Sequence, residues 1–214
     1  DPAYLGKMFE ICFLNDTYLE ADLESQIIAD LKIRLPKYDA VIVADYGHGL
    51  LTPKIIDTIV TGARFLAVNT QTNSANQGFN PITKYPRVDY ACIDEPEIRI
   101  ATGDRYGDVR NLISKVAVDV NASVVSITRG HKGSMVWKNG VFTELPALST
   151  KVIDPIGAGD AYLSISALAA ATNQDAEIIG FLGNVAGAMA TRIVCNRSTI
   201  SIEEYLEEIS EMLR

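Results

Sequence analysis

The chain has 214 residues, 48% hydrophobic and 21% charged, a globular balance that excludes collagen-like, low-complexity and disordered classes. A formal net charge of -8 repels phosphate backbones and argues against a nucleic-acid partner. The longest apolar candidate, 158–171, is broken by Asp160 and two serines and falls short of the roughly 18 residues of a membrane span.

The elements follow in chain order. Residues 9–14 have the composition of a strand, with a turn at Asn15 and Asp16. Leu23, Ile27, Leu31 and Leu35 repeat every four residues and predict a helix with Asp22 as N-cap. Residues 41–44 form a short β-branched run that ends at Asp45. Thr52 and Pro53 open a helix through Ile59, with proline at its first position. Two more apolar runs, 65–68 and 90–93, end at Asn69 and Asp94. Val109, Leu112, Ile113, Val116 and Val120 give a helix capped by Asp108. The run 124–127 ends at Thr128, Arg129 and Gly130. Asn139-Gly140 between 135–137 and 141–143 is a hairpin signal. Ser201 and Glu204 form a capping box before a last helix with Tyr205, Leu206, Ile209 and Leu213 as its apolar face.

Short, wholly apolar strands between helices read as buried parallel strands with helices on both faces. The hairpin adds antiparallel strands at one side. The expectation is one domain over 1–214, without internal repeat or linker. Three widely separated cysteines, Cys12, Cys92 and Cys195, fit neither a zinc site nor a disulfide framework and point to a reducing, cytoplasmic compartment. No signal peptide is visible, and the start at Asp1 rather than Met is read as a piece of a longer chain.

Ligands of open α/β sheets bind beyond the carboxyl ends of the strands. The residues there are Asp-Tyr-Gly-His-Gly at 45–49, Asn-Thr-Gln-Thr-Asn at 69–73, Asp-Glu-Pro-Glu at 94–97 and Thr-Arg-Gly-His-Lys-Gly at 128–133. Carboxylates, glycines and hydroxyls of this kind suit a phosphate and metal site. Asp-Pro-Ile-Gly-Ala-Gly-Asp at 154–160, just before a small-residue helix, is the most informative segment. Glycines at a helix start let N–H groups converge on an anion. A carboxylate in the same turn suits a base beside a transferring phosphoryl group. By itself Gly-x-Gly-Asp also fits a plain helix start.

The segment 154–160 resembles the C-terminal signature of the ribokinase-like (PfkB) carbohydrate kinases, whose usual form is Asp-Thr-x-Gly-Ala-Gly-Asp. In the same order as in that family, 94–97 resembles its Asn-x-x-Glu magnesium motif and 128–133 its Thr-x-Gly-x-x-Gly nucleotide loop. The segment 45–49 resembles the Asp-Tyr-x-Lys-Gly of the heptose-phosphate kinase branch. The resemblance implies a three-layer α/β/α fold with a mostly parallel sheet. It implies Asp160 as the base that takes a proton from a sugar hydroxyl, with Gly157, Ala158 and Gly159 as the anion hole. It also implies Thr128, Gly130, Gly133 and Asn184 on ATP, Asp45, Gly47 and Asn69 on the acceptor, Glu97 and Asp94 on Mg²⁺, and Asp154 at a K⁺ site. The implied partners are a nucleotide and a sugar or sugar phosphate, with no nucleic acid and no membrane. A homodimer and a fused nucleotidyltransferase domain in a longer parent chain are compatible with it.

The departures from the family pattern are specific. Pro155 and Ile156 replace the usual threonine pair, removing a hydroxyl and one N–H. Asp94 replaces Asn, and His48 stands where the heptose branch has Lys. The loop 69–76 is uncharged and amide-rich where many relatives carry Asp-Pro-Lys. Nothing in 1–40 matches the family's N-terminal Gly-Gly sugar-binding motif or its β-strand lid, so the chain corresponds to the C-terminal two thirds of such a kinase. These departures keep two alternatives open: a catalytically weak nucleotide-binding or regulatory module, and a vitamin kinase of the pyridoxal type. A dinucleotide oxidoreductase is disfavoured, since no Gly-x-Gly-x-x-Gly follows the first strand.

Other features have plainer readings. His48 and His131 read as exposed loop histidines and Lys132 as a solvated lysine. Arg99 and Arg105 read as helix-surface ion-pair partners. Trp137 reads as packing and Cys92 as a buried apolar residue. The loop 69–80 reads equally as a substrate contact and a polar surface loop, and the acidic run 203–211 as the solvated face of the last helix.

Overall fold

Six β-strands hydrogen-bond in chain order to make one sheet: β1 (Val41–Asp45), β2 (Leu66–Thr70), β3 (Tyr90–Asp94), β4 (Val124–Thr128), β5 (Ser134–Lys138) and β6 (Val141–Leu145). The computed structural model describes residues 17–149 and 152–214, together with 9, 11 and 13. The strand and turn expected over 9–16 lie outside the described residues except at these three positions.

The first four strands are parallel and the last two antiparallel, as the hairpin signal predicts. Asn139 and Gly140 turn the hairpin with φ of 50° and 89°, conformations open to Asn and Gly. Every residue of β2 is buried, which explains a strand with no polar alternation. This strand runs from Leu66 to Thr70 rather than over 65–68. Pairing of Ala44 with Asn69 and of Asp45 with Thr70 carries it onward, so Asn69 sits inside the strand and not after it.

Helices cover both faces. On one face Val43, Val68, Ile93, Val125 and Ile127 pack against α2 (Pro53–Gly62), α3 (Glu95–Thr102) and α4 (Val109–Asp119), with α1 (Ala21–Arg34) alongside. On the other, Ala67, Tyr90, Cys92, Val124 and Val136 meet α5 (Ala158–Ala171) and α6 (Ala176–Ala190). The last helix, α7 (Ile202–Met212), rests on α6 through Tyr205. Burying one such aliphatic or aromatic side chain stabilises by about 1.5–3 kcal/mol. No helix among the described residues is long and apolar enough to cross a membrane. The chain has a three-layer α/β/α fold, with the site expected where β1 to β4 end.

Several local expectations change. Helix α1 starts at Ala21 after Glu20, which makes no side-chain cap, so Asp22 lies inside the first turn. Leu206 of α7 and Leu213 just past its end face solvent, while Tyr205, Ile209 and Met212 pack inward. Arg99 pairs with Glu95, but Arg105 lies past the end of α3 and stacks over the Tyr106 ring. Trp137 packs against the core, Cys92 is buried and His131 exposed, whereas His48 is half-buried.

Candidate active site

Asp160 lies in the first turn of α5, and two strand ends reach it. Tyr46, the residue after β1, donates its hydroxyl to Asp160 Oδ2 at 3.2 Å. Gln71, the residue after β2, donates its amide to Asp160 Oδ1 at 3.1 Å. The Tyr46 phenol is pushed up by partial burial and then by the Asp160 charge. Tyr46 and Gln71 both lie in the strand-end segments 45–49 and 69–73 expected from the sequence, though neither is singled out there for a role. The signal was present in the alternation of a strand: Asp45 points into the molecule, so its neighbour points out of it.

Asp45 is 3% exposed. Its carboxylate accepts from the Tyr85 hydroxyl at 2.6 Å and from Gly47 N–H at 3.0 Å, and pairs with Lys84 at 2.6 Å. Burial and then the Asp45 charge drive the Tyr85 phenol far above the usual range. Asp45 is thus buried, with both of its oxygens engaged by the protein. Gly47 has φ of 71°, and a side chain there would meet Asn80 and Asn76 at 2.7 and 2.8 Å. Asn69 is nearly buried, donates to the Cys92 carbonyl at 2.8 Å, and leaves its Oδ1 without a partner.

In the loop after β2, Asn76 and Asn80 are buried and bonded inward, while Ser74, Ala75, Gln77 and Phe79 are exposed. Asn76 donates to the carbonyls of Tyr46 at 3.0 Å and Gln71 at 2.7 Å. Asn80, 1% exposed, donates to the Asp45 carbonyl at 2.7 Å. Amides replace charge here because each supplies two donors and an acceptor without burying an ion.

Asp94 and Glu97 are brought together at the end of β3 as a capping box. Asp94 accepts from Glu97 N–H at 2.7 Å, and Glu97 accepts from Asp94 N–H at 2.8 Å. The other Glu97 oxygen accepts from Thr72 N–H at 3.0 Å. Burial, reinforced by the Asp94 charge, pushes the Glu97 carboxyl up to about 7. Burial raises Asp94 as well, against the pull of the Glu97 N–H. Asp154 takes a separate place: it accepts from Cys195 N–H at 2.8 Å and Ile156 N–H at 3.0 Å, which hold its carboxyl below the usual range. Among the described residues no group of three or more Asp, Glu, His or Cys side chains could hold a metal ion.

Thr128 ends β4, and a 3₁₀ turn over Gly130–Lys132 follows. Gly133 has φ of 83°, and a side chain there would strike the Leu145 carbonyl, so this glycine lets β5 and the end of β6 close up. Asn184 is nearly buried and donates to the Pro146 carbonyl at 2.9 Å, which directs it inward. A cavity of about 330 Å³ opens between α5, α6 and α7, lined by Gly157, Ala161, Ile165, Ala186, Asn196 and Tyr205. Of the expected residues only Gly157 borders it. Gly157 takes φ of 84° as N-cap of α5. The Ala158 N–H is spent on the Pro155 carbonyl at 3.3 Å, which leaves the N–H groups of Gly159 and Asp160 as the first-turn donors for an anion.

A family model described as pfkB family carbohydrate kinase matches residues 63–200. The bifunctional protein HldE of Koribacter versatilis is 26% identical over 174 residues, covering 80% of this chain and 35% of that protein. The HldE of Geobacter metallireducens is 26% identical over 190 residues, covering 87% and 38%. The chain thus spans little more than a third of the length of these curated relatives. Phosphofructokinase-2 of Escherichia coli in complex with substrates and products aligns with a TM-score of 0.73 at 16% identity, over 92% of this chain and 64% of that one. A ribokinase of Thermotoga maritima aligns with a TM-score of 0.64 at 19% identity, over 83% and 59%. At these identities the structures speak for the fold alone.

Proposed function

This chain belongs to the pfkB family of carbohydrate kinases, and from that premise we propose that it moves the γ-phosphoryl group of ATP onto a hydroxyl of a sugar or sugar phosphate. The observation that carries the reading is Asp160. It sits in the first turn of α5 beside free N–H donors, and it faces Tyr46 and Gln71 at the ends of β1 and β2. In the proposed step Asp160 takes the hydroxyl proton while the acceptor oxygen bonds to the γ-phosphorus. The bond from that phosphorus to the bridging oxygen breaks, and ADP leaves. Positioning and charge stabilisation carry most of such a reaction.

The cavity between α5, α6 and α7 is proposed to take the adenine. It opens at Gly157, where the helix start offers N–H groups to the phosphates. Thr128, Gly130 and Gly133 are proposed to flank the phosphate side. The Mg²⁺ that the family implies fits Glu97 only through water, since both carboxylate oxygens already accept backbone N–H groups. Mg²⁺ commonly keeps several waters and binds substrate phosphates, and when bound it offsets their charge. Asp154 receives two N–H donors and serves here as a clamp between 154–156 and 195, so no potassium step is drawn through it.

The acceptor class is proposed from the relatives. They are named bifunctional proteins, in keeping with a nucleotidyltransferase domain in a longer parent chain, and the heptose-phosphate branch supplies the first acceptor to try. The test is ADP release by the full-length protein with MgATP and a mixture of heptose, hexose and pentose phosphates and their free sugars. Asp160→Asn should lower turnover at least a hundredfold and keep ATP binding. Unchanged turnover removes Asp160 as the base. The Ala158 N–H bonded to Pro155 favours a second reading, a weak nucleotide-binding module, which would bind MgATP and turn over nothing in that mixture.

A further inference from the structure

Two neutral donors from different strand ends meet the two oxygens of one carboxylate, Tyr46 on Asp160 Oδ2 and Gln71 on Asp160 Oδ1. Rotation of that carboxylate about Cβ–Cγ would break both bonds. One donor on each oxygen still leaves a lone-pair direction on each for an incoming hydroxyl.

The donors are themselves held. Gln71 N–H donates to the Asp45 carbonyl at 2.9 Å, continuing the β1–β2 pairing past its end. The Gln71 carbonyl accepts from Asn76 at 2.7 Å and from Asn80 at 3.2 Å. The Tyr46 carbonyl accepts from Asn73 and from Asn76, each at 3.0 Å. Asn76 thus grips both backbones with one amide nitrogen. Its Oδ1 accepts from the N–H groups of Gly78 at 3.1 Å and Asn73 at 3.2 Å, so the amide is fully used. Four asparagine contacts thus fix the two backbones that carry the donors.

We infer that Tyr46 and Gln71 are positioning residues that aim the Asp160 carboxylate, and that Asn76 is the clamp that keeps the two in register. The inference rests on the reading of Asp160 as the base. A base that is misplaced by about 1 Å loses on the order of a hundredfold in rate. A merely structural pair of contacts would show itself in stability instead. Tyr46 is 42% exposed, so removing its hydroxyl leaves no buried group unpaired and separates the two roles.

The test has a spectroscopic arm and a kinetic arm. In Asp160→Ala the side-chain amide signals of Gln71 in a ¹H–¹⁵N spectrum should move, and those of Asn80 should stay. In the full-length protein, with MgATP and the acceptor mixture, Tyr46→Phe and Gln71→Met should lower kcat about ten- to a hundredfold. KM for ATP should stay within twofold and the Tyr46→Phe melting temperature within a degree or so of wild type. Asn76→Ala should reproduce the kcat loss and also lower the melting temperature. Unmoved Gln71 signals overturn the inference. So does full turnover in Tyr46→Phe and Gln71→Met beside an inactive Asp160→Asn, and then the base reading survives alone. Turnover retained in Asp160→Asn, or a wild type inactive on the whole mixture, removes the base reading itself, and the positioning role falls with it.

Discussion

Lys84 places its ammonium 2.6 Å from Asp45 Oδ2, and Asp45 is the residue directly before Tyr46. The pair lies inside the molecule, with side-chain exposures of 26% and 4%. Its partners come from the 3₁₀ turn Ile82–Lys84 and the end of β1, so it ties the long β2–β3 connection to the strand that carries the candidate site. Removing the cation leaves a carboxylate with the Tyr85 hydroxyl and one N–H as its remaining partners. Lys84→Met is therefore expected to cost about 2 kcal/mol, below the 3–5 kcal/mol of a fully buried pair because Lys84 keeps some solvent. Chemical denaturation measures it, and a loss under about 0.5 kcal/mol would show that the pair does not hold the connection.

Gly47 carries the turn between Asp45 and the amide knot. With φ of 71° and Asn80 and Asn76 within 2.8 Å of a built Cβ, Gly47→Ala strains the backbone and displaces both amides. The expected loss is about 2 kcal/mol, part conformational and part steric. Turnover should fall with stability, since Asn76 also holds Tyr46 and Gln71. A melt within a degree of wild type would show that the knot tolerates the shift.

The Glu97 carboxyl, raised from 4.5 to about 7 by burial and the Asp94 charge, binds a proton more tightly in the folded chain than in the unfolded one. Its contribution is present below pH 4.5 and is lost as pH rises to 7, up to about 3 kcal/mol over that window. Carboxyls held low, such as Asp154 and Glu208, act in the opposite sense and below this window. Melting temperature measured from pH 5 to pH 8 should decline, and the decline should flatten in Glu97→Gln. The same ionisation should strengthen Mg²⁺-dependent ATP binding as pH passes 7. A flat profile in wild type would place the carboxyl in its ordinary range.

The cavity between α5, α6 and α7 offers about 330 Å³ beside Gly157. Ala161 lines it from the second turn of α5, on the side that points away from the sheet. Ala161→Phe fills that space without touching the strand ends. Calorimetric titration with ATP and Mg²⁺ should show at least tenfold weaker binding, about 1.4 kcal/mol, with a small change in stability. Equal affinity would move the nucleotide to another surface of the chain.

Much of this architecture can be read from local sequence. The strand runs, the Asn139-Gly140 turn and the Ser201 and Glu204 capping box all appear where short-range chemistry puts them. The site was legible in part. Asp160 was singled out by its glycines and its helix start, and the structure puts it at the end of the sheet. Asp94 and Glu97 were read as a metal motif, and their nearest duty proves to be the cap of α3. The same spacing of three serves both purposes, so local pattern alone does not separate them. Asn69 was read as a loop residue because strand length is set by pairing with β1, which lies outside any local window.

The sequence by itself determined the strands, most of the helices, the Asp108 and Ser201 caps, the hairpin turn, and the acidic, glycine-bordered segments that close the strands, but not α6 or the start of α1. These depend on residues within a few positions of one another, where backbone sterics and short hydrogen bonds decide. Only the tertiary structure decided that Tyr46 meets Asp160 across 114 positions and Gln71 across 89, that Asn76 binds both backbones, and that Asn184 turns inward while a cavity opens beside α7. Those contacts exist because parallel pairing sets β1 beside β2, and because packing α5 on the sheet brings its first turn over their ends.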